Sequence, residues 1–429
     1  MRATPKKLVA VLATAGLLTL AAACGGDSGG SGGGGGDTKE VEVFTWWAEG
    51  SEKEGLDALV KVFEDQHPDF TFVNGAVAGG AGSDAKNVLA SRLQTNDPPA
   101  TFQAHAGAEL TDYIEQGQIE GLSDMYEEKG WNELFPEGLL ERLQQDGEIY
   151  SVPSNIHRAN VVWANPAVLE EAGLDPEATY DTLDDWIAAL EKVDAAGKIP
   201  LSVATDWTQV HLLETVLLAD LGAEAYNGLW DGSTDWGGPE VKAALEDYAK
   251  LMSFTNSDRQ SLDWPDATQL VIDGDAAFNV MGDWAEAAFA SQDKKFGEDY
   301  ITFPVPGTDG VFDFLADSFT MPVNGPNPEG TEAWLDTVAS AEGQEAFNKA
   351  KGSIPANLEA NTDDFGEYQQ TAIESWENDE IVSSLAHGAA ASVSWLTDIT
   401  AAVAKFGSDE DVAGLQEGLV AAAEKNAQS

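Results

Sequence analysis

Apolar positions along this chain repeat with two periods, and the switches between them outline the secondary-structure elements. Val41-Glu42-Val43-Phe44-Thr45-Trp46-Trp47 reads as a largely buried strand. Ser51 and Glu54 have the spacing of a capping box, and Leu56, Leu59, Val60 and Phe63 recur at helical intervals until Pro68 stops the helix. The segment from Phe70 to Val77 reads as a second strand. A glycine loop follows, then a helix carrying Val88, Leu89 and Leu93, a strand from about Ala100 to Ala104, and a helix through Leu110 and Ile114. This βαβα rhythm predicts a mostly parallel sheet flanked by helices.

The rhythm restarts after the Asp146-Gly147 turn and the extended run Ile149-Tyr150-Ser151-Val152-Pro153. Val161-Val162-Trp163 is a strand, and Pro166 opens a short helix that Gly173 ends. Thr182 and Asp185 begin another helix, with Leu183, Trp186, Ile187 and Leu190 facing inward. Further helices fit Gln209 to Leu221, Pro239 to Phe254 and Pro265 to Ile272. No repeat of solenoid length is visible. The body is too large for one compact core, so two successive α/β segments predict two lobes, and a cleft between lobes is where a small ligand binds.

The first residues bear on compartment. Arg2, Lys6 and Lys7 precede an apolar run from Leu8 to Ala23, short for a membrane span of about 20 residues but suited to a secretory leader. It ends in Leu20-Ala21-Ala22-Ala23-Cys24, which resembles a bacterial lipobox, although Ala21 stands where leucine is usual. Cys24 is the only cysteine, so it has no internal disulfide partner, and lipidation explains it better. Residues 24–37, nearly all Gly and Ser, read as a flexible tether from a lipid anchor to the folded body. The expected location is therefore extracytoplasmic, on the cell membrane.

Charge narrows the partners. With 75 acidic residues against 22 Lys and Arg, the chain carries −53 at pH 7, and loss of the basic leader makes it more negative still. Such a surface repels nucleic acid and anionic headgroups and keeps the protein soluble, consistent with a monomer.

Candidate chemistry is sparse. Gly80-Ala81-Gly82-Ser83-Asp84-Ala85 matches a dinucleotide-binding pattern, but nothing else supports a redox role, so no cofactor is expected. His67, His105, His157, His211 and His387 show no metal-ligand spacing. No nucleophile elbow occurs, and the lone cysteine is spent at the terminus, so no catalytic residue is assigned. Tryptophan is more informative. Thirteen are present, several beside polar residues: Trp46-Trp47 with Glu52, Asp206-Trp207, Asp263-Trp264 and Asp283-Trp284. A pyranose lays its C–H face on an indole while its hydroxyls take charged or amide partners, although buried tryptophan also simply packs a core.

These pieces, taken together, resemble the family 1 extracellular solute-binding proteins of ABC transporters, within them the glucose- and mannose-binding branch. The likeness runs from Val41 to about Gly388. It rests on Trp46-Trp47 with Gly50-Ser51-Glu52, Gly79-Gly80-Ala81-Gly82, Pro98 to Gly107, Val152-Pro153-Ser154-Asn155-Ile156-His157-Arg158 and Trp207-Thr208-Gln209. Asn279-Val280-Met281-Gly282-Asp283-Trp284, Asp317-Ser318-Phe319, Lys351-Gly352-Ser353-Ile354 and Leu385-Ala386-His387-Gly388 complete it.

The resemblance implies an α/β, two-lobed periplasmic-binding-protein-like fold of type II, each lobe a β-sheet flanked by helices, with the ligand cleft between them. Residues 38–151 and 314–353 would form lobe 1, and residues 152–313 and 354–429 lobe 2, with crossings near Ser151, Asp313 and Ile354. It implies no enzyme, but capture of a monosaccharide for delivery to the permease subunits of an importer. Trp46, Trp47 and Glu52 would meet the sugar from lobe 1, with Gln103 and His105 nearby, and Trp264 and Trp284 would form an aromatic wall. Asp317 and Lys351 would act as a charged pair on hydroxyls, and His387 would contribute from the closing lobe. His157 and Trp207 are expected at the rim or hinge. A secreted carbohydrate-active enzyme and a sugar receptor for a sensor are the alternatives.

Overall fold

The computed structural model describes residues 39–426. The leader, the tether and Cys24 lie outside the described residues, among which no helix is long and apolar enough to cross a membrane.

The opening strand β1 (Glu40–Phe44) is flanked in parallel by β2 (Thr71–Asn74) and β3 (Thr101–His105). The returns run through the helices α1 (Gly50–Gln66) and α2 (Ser83–Gln94). Pairing beside β1 continues past the regular strand, since Gly75 and Val77 donate to the carbonyls of Val43 and Thr45. Two antiparallel strands extend this sheet, β4 (Ser151–Pro153) and the much later β11 (Asp317–Thr320), in the order β2-β1-β3-β11-β4.

A second sheet has the order β9-β6-β8-β7, from β6 (Val161–Ala164), β7 (Ile199–Ser202), β8 (Ala276–Val280) and β9 (Ile301–Pro304). A third, small sheet joins β5 (His157–Arg158), β10 (Val311–Leu315) and β12 (Glu380–Ser383) in the order β12-β10-β5. The chain thus leaves the first sheet between Pro153 and His157 and re-enters it between Leu315 and Asp317. Ile156 and Ile354 pair backbone to backbone beside these passages.

The sheets are mixed, not mostly parallel. Helical returns make the parallel pair of β1 with β2, but a strand arriving directly from the neighbouring sheet enters without a helical return and runs antiparallel. A second correction concerns the start of α1. Glu49 occupies the cap in extended conformation with no side-chain bond, and Ser51 and Glu54 lie inside the first turns. By contrast, Thr182 accepts from the Asp185 amide at the start of α4 (Leu183–Ala195), where Leu183, Trp186, Ile187 and Leu190 are buried. That helix follows the short α3 (Pro166–Glu171), capped by Asn165.

The next helix, α5 (Asp206–Asp231), outruns its expected end because Gly222, at φ 74° and ψ 165°, kinks the chain without stopping it. It is followed by α6 (Pro239–Met252) and α7 (Trp264–Ile272), the latter capped by Asp263. Two apolar cores result. One packs Trp47, Phe63, Phe102, Phe319 and Trp334 behind the first sheet, and the other packs Trp186, Leu213, Tyr248 and Phe278 around the second.

Helix α1 lies against α8 (Ala341–Lys351), and the contact needs a residue without a side chain. A Cβ on Gly55 would stand 3.1 Å from the Phe347 ring and 3.3 Å from Lys351 Cβ. Gly55→Leu should therefore overpack this seam and lower stability by about 1–3 kcal/mol in urea denaturation. An unchanged midpoint would mean the two helices do not pack there.

Candidate ligand-binding site

One end of the sheets gathers the polar groups. The chain following β1, the end of β3 and the segments after β8 and β12 supply Trp46, His105, Trp284 and His387, each at or just beyond the carboxyl end of its strand. Ligands of open α/β sheets bind at that end because loops and helix termini converge there. Asp317 joins them as the first residue of antiparallel β11, directly opposite His105 in register. Gln103 and His105 are two residues apart on β3, so both face the same side as Asp317.

The Asp317 carboxylate is 3% exposed, and protein donors meet both of its oxygens. Gln103 Nε2 donates to Oδ1 at 2.8 Å, and Asn155 Nδ2 donates to Oδ2 at 2.8 Å. His157 Nε2 stands 3.3 Å from Oδ2, and the Asp317 amide donates to Asn155 Oδ1 at 2.7 Å. Burial opposes the charge, but the bond and charge of His157, with Lys351 and His105 behind it, hold Asp317 below the ordinary carboxylate range.

Glu52, in the first turn of α1, faces Lys351, the last residue of α8, with Nζ 3.5 Å from Oε1. Burial pushes the Glu52 carboxyl up against the pull of that lysine. Lys351 therefore pairs with Glu52 and not with Asp317, a correction to the expected charged pair, because Gln103, Asn155 and His157 take the positions closest to Asp317. Lys351 Nζ also lies 5.6 Å over the Trp284 ring.

Rings close the remaining sides. Trp264 stands edge-on to Trp284 at 6.5 Å, His387 lies 5.0 Å from Trp284, and Trp46 lies 4.9 Å from His105. His105 is fixed from behind. Its Nδ1 meets Glu109 at 2.7 Å, and Lys86 meets the same carboxylate at 2.8 Å. Burial would raise Glu109, but Lys86 and His105 outweigh it and bring it down to about 2.

Eight of the ten residues expected to bind ligand line one cavity: Trp46, Glu52, His105, Trp264, Trp284, Asp317, Lys351 and His387. Trp47 does not. It is 0% exposed and packs on Phe319 and Phe347 in the core. Gln103 stands one step back, supporting Asp317 and accepting from the Trp46 amide. His157 and Trp207, expected at the rim or hinge, also line the cavity. Asn155 and Asp283 were not anticipated, although both stand in the segments that carry the resemblance. Asn155 shares a side with His157 by simple alternation, a signal that was available.

The space left among these side chains is about 20 Å³, room for one water. Wider grooves of about 770 and 370 Å³ open on either side of Gly80 and Asp263. A ring-sized ligand enters only if the walls part. A Cβ on Gly80 would lie 2.5 Å from Trp207 Nε1, so the glycine loop shuts directly onto that ring.

His211, Glu214 and His387 converge with ligand atoms within 4.8 Å of one another, a grouping the linear spacing did not disclose. The nitrogens nearest Glu214 are already engaged. His211 Nε2 meets the Ala159 carbonyl at 2.9 Å, and His387 Nδ1 meets Ser384 Oγ at 2.9 Å. The donor set fits a hydrogen-bonded cluster better than a metal.

The fold and site define a two-lobed binding protein. Residues 48–345 match the family model for bacterial extracellular solute-binding proteins, and the chain belongs to that family. An ABC transporter extracellular-binding protein of Pyrococcus horikoshii is 33% identical over 87% of this chain and 85% of its own. A xylose/arabinose-binding protein of Haloferax volcanii is 30% identical over 82% of this chain and 77% of its own. Among solved structures, a chitin oligosaccharide binding protein superposes with TM-score 0.80 at 20% identity, covering 92% of this chain and all of that one. The bacterial solute receptor AcbH, described as preferring β-D-galactopyranose, superposes with TM-score 0.78 at 16% identity, covering 91% and 98%.

His157 is a titrating group on which the site leans. Burial alone would lower it, but Asp283, bonded to Nδ1, and Asp317 raise it above its usual value. A histidine raised on folding adds stability that is complete below about pH 6.5 and lost as pH rises through the folded value. The stability difference between the parent and His157→Gln should accordingly shrink as pH is raised above about 6.5 in denaturant titrations. A difference that stays constant or grows would contradict a charged His157.

Proposed function

We propose that this protein captures a monosaccharide, glucose or mannose, between its lobes and delivers it to the permease of an ABC importer. The observation that carries this reading is the pairing of indoles with charged groups of both signs in one cavity. Trp46, Trp264 and Trp284 offer flat apolar faces, while Asp317, Glu52 and Lys351 offer hydroxyl partners. A pyranose ring needs both at once. The relatives support the class, since proteins described as binding xylose and arabinose, or glucose in Saccharolobus solfataricus, are similar along most of this chain.

The lobes we assign are residues 38–151 with 314–353, and residues 152–313 with 354–429. They close about the crossings near Ser151, Asp313 and Ile354. The shut cavity, too small for a hexose, is consistent with that motion. Binding is preferred to hydrolysis because Gln103, Asn155 and His157 hold Asp317 ionised, so it can still accept a ligand hydroxyl but is poorly placed to shuttle protons.

Calorimetric titration with hexoses, pentoses and disaccharides tests the reading. Asp317→Ala removes charge-assisted bonds, and Trp284→Ala removes a stacking face, so each should weaken the best hexose by at least about 10-fold. The comparison is made on the folded fraction, because Asp317→Ala also strands Gln103 and Asn155. Parental affinity in both variants would place the ligand elsewhere, and steady release of product from oligosaccharides would make the protein an enzyme.

The tether proposal has its own test. Cys24→Ser should move the protein from the membrane fraction to the medium with sugar affinity unchanged. Retention on the membrane would mean that something other than a lipid on Cys24 holds it.

A further inference from the structure

Behind His387 runs a short line of buried groups that ends inside the second core. Glu214 on α5 is 0% exposed. Its Oε2 accepts from the Ala386 amide at 2.8 Å, and its two oxygens lie 3.0 and 3.1 Å from Ser384 Oγ. Ser384 Oγ is in turn 2.9 Å from His387 Nδ1. The other ring nitrogen, Nε2, is buried with no protein partner, and the ring lines the ligand cavity beside Trp284 and Trp207.

A serine hydroxyl has one proton and can donate in only one direction along such a line. With Glu214 ionised, Ser384 donates to the carboxylate, accepts from Nδ1–H, and leaves a lone pair on Nε2. With Glu214 protonated, its O–H donates to Ser384, Ser384 donates to Nδ1, and Nε2 carries the proton. We propose that Glu214 is a positioning residue which, through Ser384, decides whether His387 offers the cleft an N–H or a lone pair, and so sets the polarity of one hydrogen bond to the ligand. The ligand part rests on the sugar-binding reading above; the relay itself does not.

The surroundings choose the resting arrangement. Glu214 faces His211 and Tyr226 on its own helix, Asp313 on β10, and His387; Arg158 on β5 faces Asp313. None of the groups facing Glu214 directly supplies a positive charge. Burial brings His211 down to about 4, and burial with His211 and His105 keeps His387 neutral. Asp313 is pushed up by burial and by Glu214 itself. Burial likewise brings Glu214 up to about 8, against the bonds from Ala386, Ser384 and Leu385. Near neutral pH the cleft therefore meets Nε2–H, a donor complementary to the Asp317 acceptor beside it.

Nitrogen-15 NMR of histidine-labelled protein reads the tautomer directly. Between about pH 6 and about pH 9.5 the His387 proton should move from Nε2 to Nδ1, with a midpoint near 8. Glu214→Gln should abolish that step and hold Nε2–H throughout, because its amide donates to Ser384 as the protonated acid does. Ser384→Ala should abolish the step by cutting the line. A parent without the step, or either variant with it, overturns the relay.

Monodeoxyfluoro hexoses supply the ligand readout, since fluorine accepts but cannot donate. One fluoro position should lose about 10-fold in affinity relative to the parent hexose above the step and much less below it. A panel in which no position behaves so overturns the link to the ligand. If no hexose binds at all, the sugar reading fails while the NMR result still decides the relay.

Discussion

A carboxylate can stay ionised in a dry cleft only while enough donors surround it, and the placement of Asp317 depends on meeting that condition. Gln103 comes from β3, while Asn155 and His157 come from the passage between the first and third sheets. The same hydrogen bonds that keep the charge therefore tie together the strands at which the chain changes sheet. His157 extends the line to Asp283, which also accepts from the Arg158 amide. The charge at the centre of the cleft and the joint between the halves are one network, and disturbing either member reaches the other.

The indoles complete what the charges begin. Trp264 begins α7, and Trp284 follows Gly282 in a tight turn, where a Cβ on that glycine would lie 2.1 Å from the indole. Such contacts leave the rings little freedom, so the cavity walls are already set in orientation and would need little ordering on binding a ligand. The glycine loop at Gly79 to Gly82 has a matching role. Gly80 approaches Trp207 and Gly82 approaches Trp46 too closely for a side chain, which explains a glycine pattern that in linear sequence looks like a nucleotide loop.

Much of the fold was legible because burial leaves a period in the sequence. The helices α4, α6 and α7 declared themselves through caps, prolines and apolar spacing, and β1, β3 and β6 through short apolar runs. The start of α1 was misread, since a capping box is a matter of residue types while its use depends on where the preceding loop delivers the chain. Antiparallel pairing by β11 was hidden too, because its partner β3 lies more than two hundred residues earlier and local periodicity carries no information about partners.

The sequence by itself determined the α/β class, the number of large segments and the residue types available for a ligand, because these follow from composition, periodicity and the motifs shared with a family. Tertiary structure decided their use. It sent Trp47 into the core while leaving its neighbour Trp46 at the cavity, paired Lys351 with Glu52, and brought Glu214 within reach of His387 across 173 positions of chain. Adjacent residues can face opposite ways and distant ones can share a proton, since hydrogen bonds and packing act through space and not along the backbone.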